Sequence, residues 1–225
     1  MSSGIGKALV LFYLDRGCRV VGFARSKKAI RDMNEGYDGF DGYVVDISDR
    51  KGVDVVFSVV KKKYSDVDVL INNAGIFESS CFRDSSLYSV DRVVDVNLKG
   101  LMYCTFHILD FMCCKDKRYN IINIGSVSGL RGIMHQAVYS ASKHGIRGFS
   151  DSLQQELRLD GNIIVSTLYL GGVDTELWDK ADVDVGNRSE FLKTGDVCSM
   201  VDYILGLPDH VVLKDVTLFP GCEFH

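Results

Sequence analysis

Proline is nearly absent from this chain, and its two prolines, Pro208 and Pro220, both stand close to the end. No linker, low-complexity tract or internal repeat divides the 225 residues, so 1–225 reads as a single domain. There is no excess of positive charge. Lys and Arg number 26 against 30 Asp and Glu, for a net charge of −4 and a pI of about 5.7. That balance argues against a nucleic-acid surface. No apolar run approaches the ~20 residues of a membrane span. The seven cysteines are odd in number and lack C-x-x-C spacing, and no secretory leader is expected. Together these point to reduced thiols in a cytoplasmic compartment. No His, Cys and carboxylate set has ligand spacing, so no metal is expected. The 46% hydrophobic and 25% charged composition is that of a soluble globular enzyme.

What is present is a regular alternation of patterns. Helical periodicity at 3–15 carries Ile5, Leu9 and Phe12 on one face. A strand at 19–23, a short helix at 27–33, a strand at 42–46, a helix at 49–64 and a strand at 67–71 follow. A long helix at 88–114 shows an apolar stripe through Val94, Leu98, Leu101, Thr105 and Leu109. Asn97 interrupts that stripe, as a kink or a buried hydrogen-bonder. Then come a strand at 120–124, a helix at 138–160, a strand at 163–169, a helix at 195–206 and a strand at 215–219. Alternation of this kind, with right-handed crossovers, predicts an α/β fold built on a doubly wound parallel sheet.

Within that frame, Tyr139 and Lys143 stand four residues apart in a helical pattern, which places them on one face. A lysine ammonium beside a phenol lowers the tyrosine pKa from about 10 toward neutral, as carbonyl proton transfer needs. Alone, the pair is only a common surface spacing. Ser126 adds to it, because it follows the apolar run 121–124 and so sits where a strand ends. Ligands in open α/β sheets bind at those ends. Ser128 is the rival serine, read as lining the pocket or bonding locally. At the other end of the chain, Ser3-Gly4-Ile5-Gly6 opens a helix. Its glycines permit close backbone approach, and free N–H groups there suit a pyrophosphate.

These pieces, with Asp46-Ile47, Asn73-Ala74-Gly75, Asn97 in DVNLKG and GGVDT at 171–175, occur in an order that resembles the compact short-chain dehydrogenases/reductases nearly end to end. The resemblance implies a Rossmann-type fold and reversible hydride transfer between a nicotinamide and a small carbonyl or secondary alcohol. It implies that Tyr139 is the proton donor, that Ser126 orients the carbonyl, and that Lys143 holds the nicotinamide ribose. Asn97 would hold a water linking Lys143 to solvent. Ser3 to Gly6 would cradle the pyrophosphate. Asp46 and Ile47 would meet the adenine, Asn73 to Gly75 would flank its ribose, and Gly171, Val173 and Thr175 would meet the nicotinamide. Neutral Ala24 followed by Arg25 points to NADP, with NAD the alternative, because an arginine there forks onto a 2′-phosphate. A homodimer or homotetramer through the helices at 88–114 and 138–160 is implied as well. The segment 176–193 should cover the pocket.

The resemblance also places a strand ending in Thr-Gly ahead of the glycine loop, in the middle of the sheet. Met1 lies inside that loop. The expectation is an N-terminally truncated domain in which strands 19–23 and 67–71 lack the neighbour between them. The alternative activity is that of a catalytically impaired nucleotide-binding or scaffold protein. Asp46 has a helix-capping alternative too, although Ser48 suits that cap better.

Overall fold

The computed structural model describes residues 1–158, 162–181, 183 and 186–223. Two parallel sheets carry the fold. β1 (Val20–Ala24) pairs with β2 (Phe40–Val44), and β3 (Val69–Asn72), β4 (Tyr119–Ile124), β5 (Ile163–Leu170) and β6 (Asp215–Leu218) follow side by side. All pairings are parallel, and Asn72 stands level with Asn123 and Thr167 across three strands.

Helices cover both faces, and strand alternation decides which residue meets which. On one face lie α3 (Arg50–Lys63), α5 (Gly100–Ile108) and α6 (Ala137–Leu157). Their Val53, Phe57, Ile108 and Leu153 pack with Ile121 and Val165 of the strands. On the other face lie α1 (Gly4–Leu14) and α8 (Thr194–Leu205). Leu9, Val197 and Val201 pack there with Ile122, Ile124 and Leu168, the alternate residues of the same strands. α2 (Lys27–Gly36) closes a smaller core over β1 and β2 through Ile30, Met33 and Phe40.

Between β1 and β3 no pairing forms among the described residues, so the expected gap is present. Of the residues at this gap, Val20, Val21 and Phe23 in β1, and Val69, Leu70 and Ile71 in β3, are only half-buried. Met1 lies at one end of the gap, donating its amino group to Phe23 O at 3.3 Å and packing beside Gly22.

Most element boundaries fall within two residues of expectation. β2 begins at Phe40 rather than 42, because Gly39, at φ +85°, turns the chain there. It stops before Asp46, whose carboxylate captures the Ser48 amide and hydroxyl at 3.0 and 2.7 Å. The cap of α3 is Asp49, which accepts from Lys51 N, and not Ser48. The long helix is α4 (Leu87–Val94), then one wide turn at Asp95–Lys99, then α5 and a tight turn at Leu109–Phe111. Of the helix expected at 138–160, positions 159 and 160 lie outside the described residues. α7 (Leu177–Ala181) has no counterpart among the expected helices.

Candidate active site

The strand ends, the glycine loop and the start of α6 enclose one cavity of about 1110 Å³. Ser3, Gly4, Ile5, Arg25, Asp46, Ile47, Asn73, Ala74, Gly75, Ser126, Tyr139, Lys143, Gly171, Val173 and Thr175 all line it. Gly6 and Asn97 sit just behind its wall. Every site residue anticipated from the sequence is therefore at this one place.

Ser126, Tyr139 and Lys143 are each under a tenth exposed. Ser126 leaves β4 in extended conformation, and its hydroxyl accepts from Ser128 N at 3.2 Å. A tight turn at Val127–Gly129 then lies against α6. A Cβ on Gly129 would meet Lys143 O at 2.8 Å, so a side chain there would lift Ser126 off the Tyr139 face. Ser128 lines the cavity too and donates to Gln136 Oε1 at 2.9 Å, so both of its expected roles are met.

The charges are set by burial. Burial pushes the Tyr139 phenol up to about 12, with the Ser126 hydroxyl pulling the other way. Burial also pulls Lys143 down to about 8. The expected depression of Tyr139 by Lys143 is thus not what the structure has. Lys143 Nζ is 5.7 Å from the Tyr139 ring centre and donates to Ile124 O at 3.0 Å, too far to offset the desolvation of the phenol.

Asn97 occupies the wide turn between α4 and α5, and is both kink and buried hydrogen-bonder. Its Oδ1 accepts from Ile76 N at 2.8 Å, while its Nδ2 donates to Ile76 O at 2.9 Å and to Ser142 Oγ at 3.2 Å. It binds the strand-end loop directly and makes no direct bond to Lys143. Below it runs a polar ladder that sequence reasoning missed. Asn72 Nδ2 donates to Thr105 and Asn123, and Asn123 donates to Ser150 on α6. Their placement opposite one another across β3, β4 and α6 had no local signal.

On the nucleotide side, Gly4 holds φ +54°, which an L side chain would resist, and a Cβ there would meet Thr175 Cβ at 3.3 Å. A Cβ on Gly6 would collide with Asn73 Nδ2 at 2.5 Å. The helix start, the Asn73 loop and the Thr175 turn therefore close on one another because residues 4 and 6 are glycines. Arg25 lies at the rim, 3.7 Å from Asp46, with α2 starting directly behind it on the Ser26 cap. Burial raises Asp46, but its Ser48 bonds and Arg25 outweigh that and leave the carboxyl below its usual range.

On the opposite wall Phe77 meets the Tyr139 ring edge-on at 4.9 Å and Trp178 at 5.2 Å. Trp178 Nε1 donates to Val173 O at 2.8 Å, which fixes the indole. The covering segment thus sits where expected, although 182, 184 and 185 lie outside the described residues. Among the described residues no group of three His, Cys, Asp or Glu could hold a metal, and no helix is long and apolar enough to cross a membrane.

Known proteins similar to this chain are numerous. The family model described as short chain dehydrogenase matches residues 1–185. An uncharacterized oxidoreductase of Staphylococcus saprophyticus is 30% identical over 226 residues, spanning 97% of this chain and 94% of that protein. The 3-oxoacyl-(acyl-carrier-protein) reductase of Thermotoga maritima is 33% identical over 183 residues, 80% of this chain and 74% of the relative. Among solved structures, an actinorhodin polyketide ketoreductase with NADPH superposes at a TM-score of 0.86 with 26% identity, covering 100% of this chain and 95% of that one. A serine dehydrogenase complexed with NADP⁺ gives a TM-score of 0.90 at 24% identity, over 100% and 94%. The chain belongs to the short-chain dehydrogenase family of oxidoreductases.

Proposed function

We propose that the protein moves hydride reversibly between NADP(H) and a small carbonyl or secondary alcohol, with Ser126, Tyr139 and Lys143 as its catalytic groups. The carrying observation is that all three reach one cavity whose far wall is a helix start lined by glycine.

The cradle fits a dinucleotide diphosphate: α1 begins at Gly4 with its N–H groups at the cavity, and no side chain stands on Gly4 or Gly6. Arg25, with Ala24 before it, suits a 2′-phosphate by a charge-assisted fork. Asp46 and Ile47 would hold the adenine, Asn73 to Gly75 its ribose, and Gly171, Val173 and Thr175 the nicotinamide end. When bound, the nicotinamide supplies the hydride.

The chain's own groups do the rest. A phenol held near 12 remains protonated at neutral pH. It therefore stands ready to donate to a carbonyl oxygen that is gaining negative charge. Ser126 donates to the same oxygen and fixes its direction. Lys143, pulled down to about 8, exchanges its own proton close to neutrality, and so can restore the one Tyr139 gives up. Asn97 holds the loop carrying Gly75 against Lys143. For assembly, we assign the exposed Leu87, Tyr88 and Phe106 of α4 and α5 to contacts with further copies of the chain.

A second reading, dinucleotide binding without turnover, draws on the edges of β1 and β3 beside the glycine loop, which pair with no strand among the described residues. One variant separates the two. Tyr139→Phe removes the transferable proton and is expected to cut turnover about 100-fold or more while NADPH still binds. Near-normal turnover by folded Tyr139→Phe protein would refute the assigned roles. An inactive wild type that binds NADPH would favour the second reading.

A further inference from the structure

A second cavity of about 480 Å³ lies beside the first, past Phe77, which packs on Tyr139. Phe77, Gln136, Trp178 and Glu223 line both spaces, so the two adjoin. The Phe77 ring, 4.9 Å from that of Tyr139, marks the threshold. Aromatic groups make most of the apolar wall, with Phe191 6.0 Å from Trp178 on the far side.

Among the described lining residues the charge has one sign. Glu190 and Glu223 line the second cavity, and among the described residues no Lys or Arg does. Of the cations that flank Glu190, Arg188 pairs with Asp179 at 2.6 Å and Lys193 with Asp174 at 3.0 Å.

Glu223 is seated with care. Gly172 N donates to both of its oxygens at 3.2 and 3.1 Å. A Cβ on Gly172 would meet Oε1 at 2.6 Å and the Phe191 ring at 2.9 Å, and one on Gly171 would meet Oε2 at 2.7 Å. The paired glycines of the turn make the space in which this carboxylate sits, although it lies far along the chain from them. The bond holds its carboxylate where the two cavities adjoin.

From this geometry we infer that the substrate carries a cationic group, an ammonium or guanidinium, which enters the second cavity and pairs with Glu223 while its carbinol or carbonyl carbon faces Tyr139. The inference rests on the redox reading above for the reacting end of the substrate. A cation gains from a half-buried carboxylate and from aromatic rings at close range. An anionic tail would meet two carboxylates with no compensating charge, so the same wall discriminates against acids.

Trp178 is the only tryptophan in the chain, so its fluorescence reports binding without turnover. Three secondary alcohols of similar size serve as probes: 4-amino-2-butanol, 2-pentanol and 3-hydroxybutyrate, each titrated into NADP⁺-saturated protein and assayed for NADP⁺ reduction. The amino alcohol is expected to bind about tenfold more tightly than the neutral one, and the acid more weakly still. Glu223→Gln keeps an acceptor for Gly172 N and removes the charge. It should erase the amino alcohol's advantage through KM, leaving kcat and the 2-pentanol constants unchanged. Glu190→Gln should do the same to a smaller degree. Equal binding of all three probes by wild type overturns the inference, as does an equal loss for all three in Glu223→Gln. Selective amine binding without NADP⁺ reduction would support the cationic pocket and overturn the redox reading. Turnover without charge preference would do the reverse.

Discussion

β4 and β3 are neighbours in one sheet with similar residues, yet they are buried very differently. Each residue of β4, from Tyr119 to Ile124, is buried, whereas Val69, Leu70 and Ile71 of β3 are not. β1 repeats the contrast, with Val20, Val21 and Phe23 half-buried. Composition does not separate these strands, since all are rich in apolar residues. Neighbours do. A strand paired on both edges and covered by helices on both faces loses its water, and a strand with one open edge keeps some. The proposed roles divide along the same line. Ser126, Tyr139 and Lys143 belong to the end of β4 and to α6, while Arg25 and the glycine loop flank the open edge.

The largest effect should come from the paired half. Ile122→Ala, at a position with no exposure, should cost about 4 kcal/mol, and Leu70→Ala on β3 distinctly less. Urea denaturation of both variants checks the contrast. Equal losses would break the comparison, because they would mean that the open edge is packed as well as the closed one.

A smaller effect is expected in the other half. Arg25→Ala should weaken NADPH by ~1.5–3 kcal/mol and leave NADH almost unchanged. Titrating both cofactors against both proteins decides between NADP and NAD. Parallel losses, or a wild-type preference for NADH, would remove Arg25 from 2′-phosphate recognition.

The smallest returns to the paired half and reads its dryness. The folded pKa of Lys143, about 8, lies below its unfolded value of 10.5, so burial of its charge penalises the fold fully below about pH 8. That penalty fades as pH rises toward 10.5, and stability rises with it. Lys143→Met should therefore be more stable than wild type near pH 7 by about 2 kcal/mol, after allowing for the lost bond to Ile124 O. The difference should shrink on approaching pH 10. A stability difference that does not change with pH would show that Lys143 is solvated.

Much of the molecule is legible in its chain. The alternation of Ile121 and Ile122 between two cores, and the 3.6-residue stripes of α3 and α6, are local patterns, so they declare the α/β architecture by themselves. The site is legible for a related reason: strand ends and helix starts are local, and both Ser126 and Gly4 lie at one. What stays hidden depends on distance. The bond from Gly172 to Glu223 and the ladder from Thr105 through Asn72 and Asn123 to Ser150 join segments far apart in sequence. The Tyr139 phenol departs from expectation for another reason. Four-residue spacing fixes which face Lys143 shares, but not that its ammonium is drawn to Ile124 O inside a dry wall.

The central claim is hydride transfer, and isotope transfer tests it most directly. Wild-type protein would be incubated with a panel of small carbonyl compounds and NADPH deuterated at the transferable position of its nicotinamide. Each product alcohol would then be characterised by mass spectrometry and NMR. The account predicts one deuterium on the carbinol carbon of at least one product, and about a hundredth of that yield or less when Tyr139→Phe replaces wild type over the same interval. NADPH binding with no labelled alcohol from any carbonyl, or the same yield of labelled alcohol from the variant, would contradict it.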